Sequence, residues 1–432
     1  MHERVMDAGT HGRNVAMELL EATMGSVRTP FAVRLWDGTV WSPTPHTEPR
    51  FTLVLHHPAS LRRMFLPLNQ ISLGSAYVYG DFDIEGDRVA AFALADALLD
   101  RTWRWRERLA LGRLLLQLPG PGRHEGRGAM LTGPLHSRVR DRQAISFHYD
   151  ISNDFYRLWL DRRMVYSCAY FADESEDLDT AQERKIDYTC RKLLLQPGER
   201  LLDIGCGWGA LIMHAARRYG ADATGITLSA AQATLATERI AGERLSGRCR
   251  VEVRDYREME ETGTFDKVVS IGMVEHVGRR RLEEYFARAW RLLRPGGIFL
   301  NHGIAESLTN PPTRGPSFIE RYVFPDGELV PISETVQAAE AAGFEVRDLE
   351  SLREHYALTL RHWVGRLDAA WEEARRCIDE VTCRIWRLYM AGSAHGFATG
   401  RLNLYQLLLV KPDRGESRFP LTRSHLYPGG RP

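Results

Sequence analysis

What the chain lacks narrows the field first. No run of about 18 apolar residues occurs in its 432 residues, so no segment reads as a membrane span and any membrane contact is peripheral. Six cysteines (Cys168, Cys190, Cys206, Cys249, Cys377 and Cys383) are scattered without C-x-x-C spacing. A zinc site or disulfide framework is therefore not expected, no metal is expected, and a reducing cytoplasm fits. The opening MHERVMDAGTHGRNVAMELL has no apolar core before a cleavage site, so no secretory leader is expected. Net charge is only +1, so the molecule as a whole has no polarity that would draw it to nucleic acid or lipid.

What is present is globular: 44% hydrophobic and 26% charged residues. The length exceeds what one core holds and predicts two domains. Charge is uneven locally. Residues 101–142 carry ten arginines against Glu107, Glu125 and Asp141, which points to an anionic partner surface. Residues 31–90 read as strand-rich, with a hairpin signal at FAVRLWDGTVW and strand character continuing through RFTLVLHH and SAYVYGDFDIEGD. Residues 88–118 turn helical. LPGPGRHEGRG, rich in Gly and Pro, marks a linker. The expected division is an N-terminal mixed α/β domain over 1–118, a linker over 119–139 and a second domain over 140–432.

From residue 200 strand-like and helix-like segments alternate: LLDIG, ALIMHAARRYG, ADATGITL, AAQATLATERIAGERL, CRVEVRD, KVVSIGM and onward to NLYQLLLVK. That rhythm predicts a doubly wound parallel sheet. LLDIGCGWGA at 201–210 is an apolar strand ending in Asp203, then Gly205, Gly207 and Gly209, then a helix. Glycines there allow tight turning and close approach of a ligand. The spacing differs from the dinucleotide G-x-G-x-x-G and resembles the cofactor loop of Rossmann-like, class I S-adenosylmethionine methyltransferases. The second strand ends in GITLSAAQ, where Thr227 and Gln232 can hydrogen-bond ribose hydroxyls. The third ends in Asp255-Tyr256, suited to an adenine amino group and ring, although Asp255 could equally cap the following turn.

Several further motifs resemble one family. HYDISNDFYRLWLD, MVYSCAYF, LLDIGCGWG, GITLSAAQ, RDYRE, VSIGMVEHVG, RYVFPDGELVP and SLREHYALTLRHW are similar to segments of the cyclopropane-fatty-acyl-phospholipid synthases and the related mycolic acid cyclopropane synthases, over about residues 140–412. The N-terminal part resembles, more weakly, the lipid-associated domain of the phospholipid enzymes. The resemblance implies transfer of a methyl group from S-adenosylmethionine to a cis double bond of an acyl chain esterified in a membrane phospholipid. A carbocation results, and loss of a proton from the new methyl closes a cyclopropane ring. Such chemistry needs an apolar slot, rings that tolerate positive charge, and a base.

The resemblance also implies a site. A bound bicarbonate ion would be the base, held by the backbones of Cys168 and Ile304 and the side chains of Glu275, His302 and Tyr356. The cofactor would be met by Tyr166, Ser167, Asp203, Gly205, Gly207, Thr227, Gln232, Asp255, Tyr256 and Arg257. Read alone, His302 is as readily a satisfied core histidine, Tyr356 plain packing and Cys168 a small buried residue. His276 is expected to point away from the chemistry. Ser393 stands where many relatives have cysteine, which excludes a thiol nucleophile there if the positions correspond. The expected setting is the cytoplasm, at the inner face of an anionic membrane, contacted by the Trp/Arg segment 102–118. Relatives imply a homodimer through the N-terminal domain, and no nucleic-acid-reading motif accompanies the arginines. Three other readings stay open: the same transfer ending in a methylene or methyl branch, a non-catalytic lipid-binding protein, and a methyltransferase for a small soluble metabolite.

Overall fold

The computed structural model describes residues 2–120, 122, 131–149, 151–310 and 317–427. Residues 121 and 123–130 of the expected linker, with Arg123, Glu125 and Arg127 of the basic stretch, lie outside them. The chain divides into two compact units. One comprises residues 1–128, 313–323 and 379–395; the other comprises 129–312, 324–378 and 396–432.

The first unit opens with α1 (His2–Met24), β1 (Phe31–Arg34), β2 (Val40–Trp41), β3 (Phe51–Leu55), α2 (Ser60–Phe65), α3 (Gln70–Val78), β4 (Phe82–Gly86), α4 (Arg88–Leu99) and α5 (Trp105–Gln117). Its four strands run in the order β2-β1-β3-β4. β1 and β2 form the expected antiparallel hairpin across Asp37-Gly38, and β3 shows the alternation of a half-buried strand. Phe31 stacks on Phe51 across the parallel β1–β3 pair, ring centroids 5.5 Å apart.

The strand expected through SAYVYG is not one: residues 75–78 are helical. The Asn69 side chain accepts from Ser72 N and starts α3. Gly74 then packs so tightly on the Phe318 ring that a Cβ would come within 2.3 Å of it. Capping and packing override the β propensity of Tyr77, Val78 and Tyr79. The late segment joins this unit through Arg384, which donates to Tyr77 O at 2.8 Å and Phe82 O at 2.9 Å.

The second unit begins with α6 (Arg138–Tyr149), α7 (Asn153–Trp159), α8 (Leu178–Lys192), β5 (Arg200–Ile204), α9 (Ala210–Tyr219), β6 (Asp222–Thr227), α10 (Ala230–Gly242), β7 (Cys249–Val253), β8 (Phe265–Ile271), α11 (Leu282–Leu292) and β9 (Leu293–Glu306). After α12 (Phe318–Tyr322), which belongs to the first unit, come α13 (Ile332–Ala341), β10 (Glu345–Ser351), α14 (Arg353–Ala369), α15 (Trp371–Cys377), then α16 (Glu380–Ala398), whose residues 380–395 belong to the first unit, and β11 (Leu402–Val410). Seven strands run in the order β10-β11-β9-β8-β5-β6-β7.

The sheet is not wholly parallel as expected. β5 to β9 are, but β11 runs antiparallel to both β9 and β10. LLLV in β11 is buried on both faces, and a fully buried strand carries no sign of its direction in its sequence. The chain leaves β5 for β6 and β7, then returns to β8 on the other side of β5. Their C-terminal ends therefore flank the reversal point where open α/β sheets hold ligands.

Candidate active site

The cavity at that reversal point is built from strand ends. β5 delivers Asp203, and the chain turns through Gly205, Gly207 and Gly209 at φ +87°, +53° and +81°. Residues with a Cβ rarely adopt these angles, so the loop needs glycine at each. The amides of Gly205 and Cys206 both donate to Ile226 O, at 2.9 and 3.0 Å, which ties the loop to β6. β6 delivers Thr227, whose hydroxyl donates to Gln232 Oε1 at 2.8 Å. β7 leads to Asp255, Tyr256 and Arg257. Across the opening, Asp141, Ile145 and Tyr149 line the cavity at four-residue spacing along α6.

Ten residues expected at the cofactor meet in this one cavity: Tyr166, Ser167, Asp203, Gly205, Gly207, Thr227, Gln232, Asp255, Tyr256 and Arg257. Arg257 is already engaged. Its Nε and Nη2 bind the two oxygens of Asp255 at 2.9 and 2.6 Å, and Nη1 binds Asp141 at 2.9 Å. It clamps α6 to the end of β7. Asp255 also caps the turn at 256–258, as the capping reading expects, and its place on the cavity wall is compatible with that role. Burial acts to raise its pKa, but the Arg257 hydrogen bonds outweigh it and the carboxyl lies below its ordinary value.

His276 departs from expectation. It lines the same cavity, its ring 6.2 Å from that of Tyr149, and burial lowers its pKa to about 4. It is therefore neutral at physiological pH.

Of the five residues expected around a base, Glu275, His302 and Ile304 come together where the end of β8 meets β9. Glu275 sits in a short 3-10 turn after β8, and its Oε1 accepts from Ile304 N at 2.7 Å. The Ile304 amide is thus spent on fixing Glu275. His302, two residues earlier on the same face of β9, meets Gln406 Nε2 through Nδ1 at 3.1 Å. With that amide donating, the ring proton sits on Nε2. Glu275 Oε2 and His302 Nε2 are both buried with no partner among the described residues.

Tyr356 packs on Phe397 at 4.6 Å and on Trp363 at 6.0 Å between centroids, and Trp363 in turn lies 5.3 Å from Tyr166. A row of rings therefore runs from Tyr166 at the cavity to Tyr356 and Phe397. Cys168 is wholly buried, its thiol donating to Ala169 O at 3.1 Å, and burial holds its pKa far above the ordinary value. It is no nucleophile. Ser393, buried in α16, lies in the other unit.

Burial raises Glu275 from 4.5 to about 7, opposed by the Ile304 amide, and raises Asp203 from 3.8 to about 7, opposed by Lys185. A raised acid contributes stability that is full below its unfolded value and is lost as pH rises through its folded value. The ligand-free Glu275→Gln variant should thus gain melting temperature relative to the unmodified protein as pH goes from about 5 to about 8. A difference that stays flat over that range would show that the Glu275 carboxyl is not held up.

Sequence reasoning missed Lys185, Gln182 and Asp141. Lys185 carried a usable signal: it falls between Ala181, Ile186 and Cys190 on the apolar face of α8, where a solvent-seeking lysine does not belong.

A cavity so placed on such a sheet is that of a class I S-adenosylmethionine-dependent methyltransferase. A mycolic acid cyclopropane synthase, CmaA1, solved with SAH and CTAB, matches with TM-score 0.59 and 36% identity over 62% of this chain and 97% of its own. The chain belongs to the mycolic acid cyclopropane synthetase family, whose model matches residues 136–407. A probable fatty acid methyltransferase of Pseudomonas putida is 40% identical over 94% of this chain and 99% of its own length. The cyclopropane-fatty-acyl-phospholipid synthase of Escherichia coli is 37% identical over 61% of this chain and 66% of its own.

Proposed function

We propose that the protein adds a methylene group to the cis double bond of an unsaturated acyl chain in a membrane phospholipid, forming a cyclopropane ring. The observation that carries this is the pair of buried atoms Glu275 Oε2 and His302 Nε2, unpartnered among the described residues, an acceptor and a donor that together suit a small oxyanion carrying one O–H. Bicarbonate fits that pair. When bound, S-adenosylmethionine supplies the methyl group and bicarbonate supplies a base.

The chain's own residues do the rest. The glycine loop, Thr227, Gln232, Asp255 and Tyr256 hold the cofactor. Glu275 accepts the oxyanion's hydroxyl while His302 Nε2 donates to it, and Tyr356 closes the pocket. The rings of Tyr166, Trp363 and Tyr356 exclude water and tolerate positive charge nearby.

The second reading ends the same transfer in a branched chain. Its support is that the Pseudomonas putida relative, matched over 94% of this chain, is named a probable fatty acid methyltransferase. The deciding experiment incubates the protein with labelled S-adenosylmethionine and monounsaturated phospholipid vesicles, then takes proton spectra of the extracted lipid. Upfield ring protons support the first reading and olefinic signals the second. No label in lipid ends both.

The setting we infer is the cytoplasmic face of an anionic membrane, met through α5. Among the described residues no helix is long and apolar enough to cross a bilayer. On α5, however, Trp105, Leu109 and Leu116 share a face and are 66%, 54% and 64% exposed. Arg108 and Arg113 flank them with no acidic partner among the described residues. Trp105→Ser, Leu109→Ser and Leu116→Ser together should lower the protein pelleting with anionic vesicles roughly tenfold. Unchanged pelleting would remove α5 from the interface.

A further inference from the structure

α8 turns a polar stripe inward: Gln182, Lys185, Thr189 and Lys192 are all buried. Two of the four have local explanations. Thr189 bonds back to Lys185 O at 2.9 Å, and Lys192 pairs with Glu350 at 2.5 Å. The other two converge on one residue. Gln182 Nε2 donates to Ser167 O at 2.8 Å, and Lys185 Nζ donates to Ser167 Oγ at 2.7 Å.

An ammonium only donates, so the Ser167 oxygen accepts and its own O–H remains to be given away. No acceptor among the described residues takes it. Ser167, Lys185 and Asp203 line the same cavity. Burial lowers the Lys185 pKa to about 8, which leaves the ammonium mostly charged at neutral pH. Asp203 acts on it only through space.

The cavity has a direction. Asp255 and Tyr256 follow β7 at the sheet's edge, Thr227 and Gln232 follow β6, and Asp203 with the glycine loop follows β5. A cofactor with its adenine at the β7 end and its ribose over β6 brings its amino-acid end to Ser167 and Lys185. There a hydroxyl aims a proton inward with a buried cation behind it. That is a receptor for an anion, and the cofactor's one anionic group is its α-carboxylate.

We propose that Lys185 is a positioning residue that acts through Ser167 to recognise the α-carboxylate of the cofactor's methionine moiety. The inference rests on reading the cavity as the S-adenosylmethionine site. Lys185 fixes the Ser167 hydroxyl as a donor and strengthens it by its charge.

The test compares two ligands by calorimetry: S-adenosylhomocysteine and its decarboxylated analogue, S-adenosyl-3-thiopropylamine. The unmodified protein should prefer the carboxylate-bearing ligand roughly 10- to 100-fold. In Lys185→Met and in Ser167→Ala that preference should fall to within about threefold, chiefly by weaker binding of S-adenosylhomocysteine. The double variant should lose little more than either single one, as for two members of one relay. A variant that merely loosened the fold would weaken both ligands alike. Preference retained in either variant overturns the proposal. If Lys185→Met does not fold, Ser167→Ala decides alone. Failure of the unmodified protein to bind S-adenosylhomocysteine would instead overturn the reading of the cavity.

Discussion

Glu275→Gln should lower turnover on vesicle phospholipid by about 10²- to 10⁴-fold and leave S-adenosylhomocysteine affinity nearly unchanged. Glutamine keeps the shape and can still accept from Ile304 N, so the turn at 274–276 stays in place. What changes is Oε2, the buried oxygen with no partner among the described residues. An amide nitrogen there donates where an acceptor is needed, so a hydroxyl-bearing oxyanion meets two donors instead of one donor and one acceptor. Glu275 itself does not line the cofactor cavity, and the substitution leaves the backbone of its turn in place. Rate and cofactor affinity measured side by side decide the matter. Equal losses in both would mean that Glu275 serves the cofactor cavity and not a base.

Gly303→Ala should cost nearly as much although it removes no polar atom. Gly303 lies between His302 and Ile304, and a Cβ there would stand 2.3 Å from Val274 Cγ1. Val274 is buried in the core and precedes Glu275, so it cannot give way without carrying the carboxylate along. A misplacement of about 1 Å at such a site is worth about 10²-fold in rate. Turnover should fall by that order while S-adenosylhomocysteine binds as before. A Gly303→Ala enzyme working within threefold of normal, beside a crippled Glu275→Gln, would break the mechanical link between the two strands.

How much of this could be read from residues alone depended on how local each signal was. The loop after β5 was legible because an apolar strand, three alternate glycines and a helix lie within ten consecutive residues. Thr227 and Asp255 were legible for the same reason: one ends a strand of ordinary length and the other follows one within two residues. α3 was not, because its β-prone residues Tyr77 and Val78 masked the local Asn69 cap, and the packing of Gly74 on Phe318 comes from far away in sequence. The reversed direction of β11 was hidden by its complete burial. Lys185 was passed over because a single lysine within a charged helix reads as solvent-facing until its neighbours on the wheel are compared. The grouping of residues 313–323 and 379–395 with the N-terminal unit depends on contacts that no local pattern announces, such as Arg384 with Tyr77.

β9 carries a further consequence. It lies inside the sheet, laddered to β8 on one side and β11 on the other, and its residues 298–302 pair with both. His302 and Ile304 reach the site only because they fall on one parity of that strand. Inserting or deleting one residue between 298 and 301 would turn both to the opposite face, and the slip could not be absorbed without breaking two ladders. Descendants of this gene can therefore lengthen or shorten the loops around the site, but this strand behaves like a reading frame: some of its positions accept substitution, while single-residue length changes are closed at all of them.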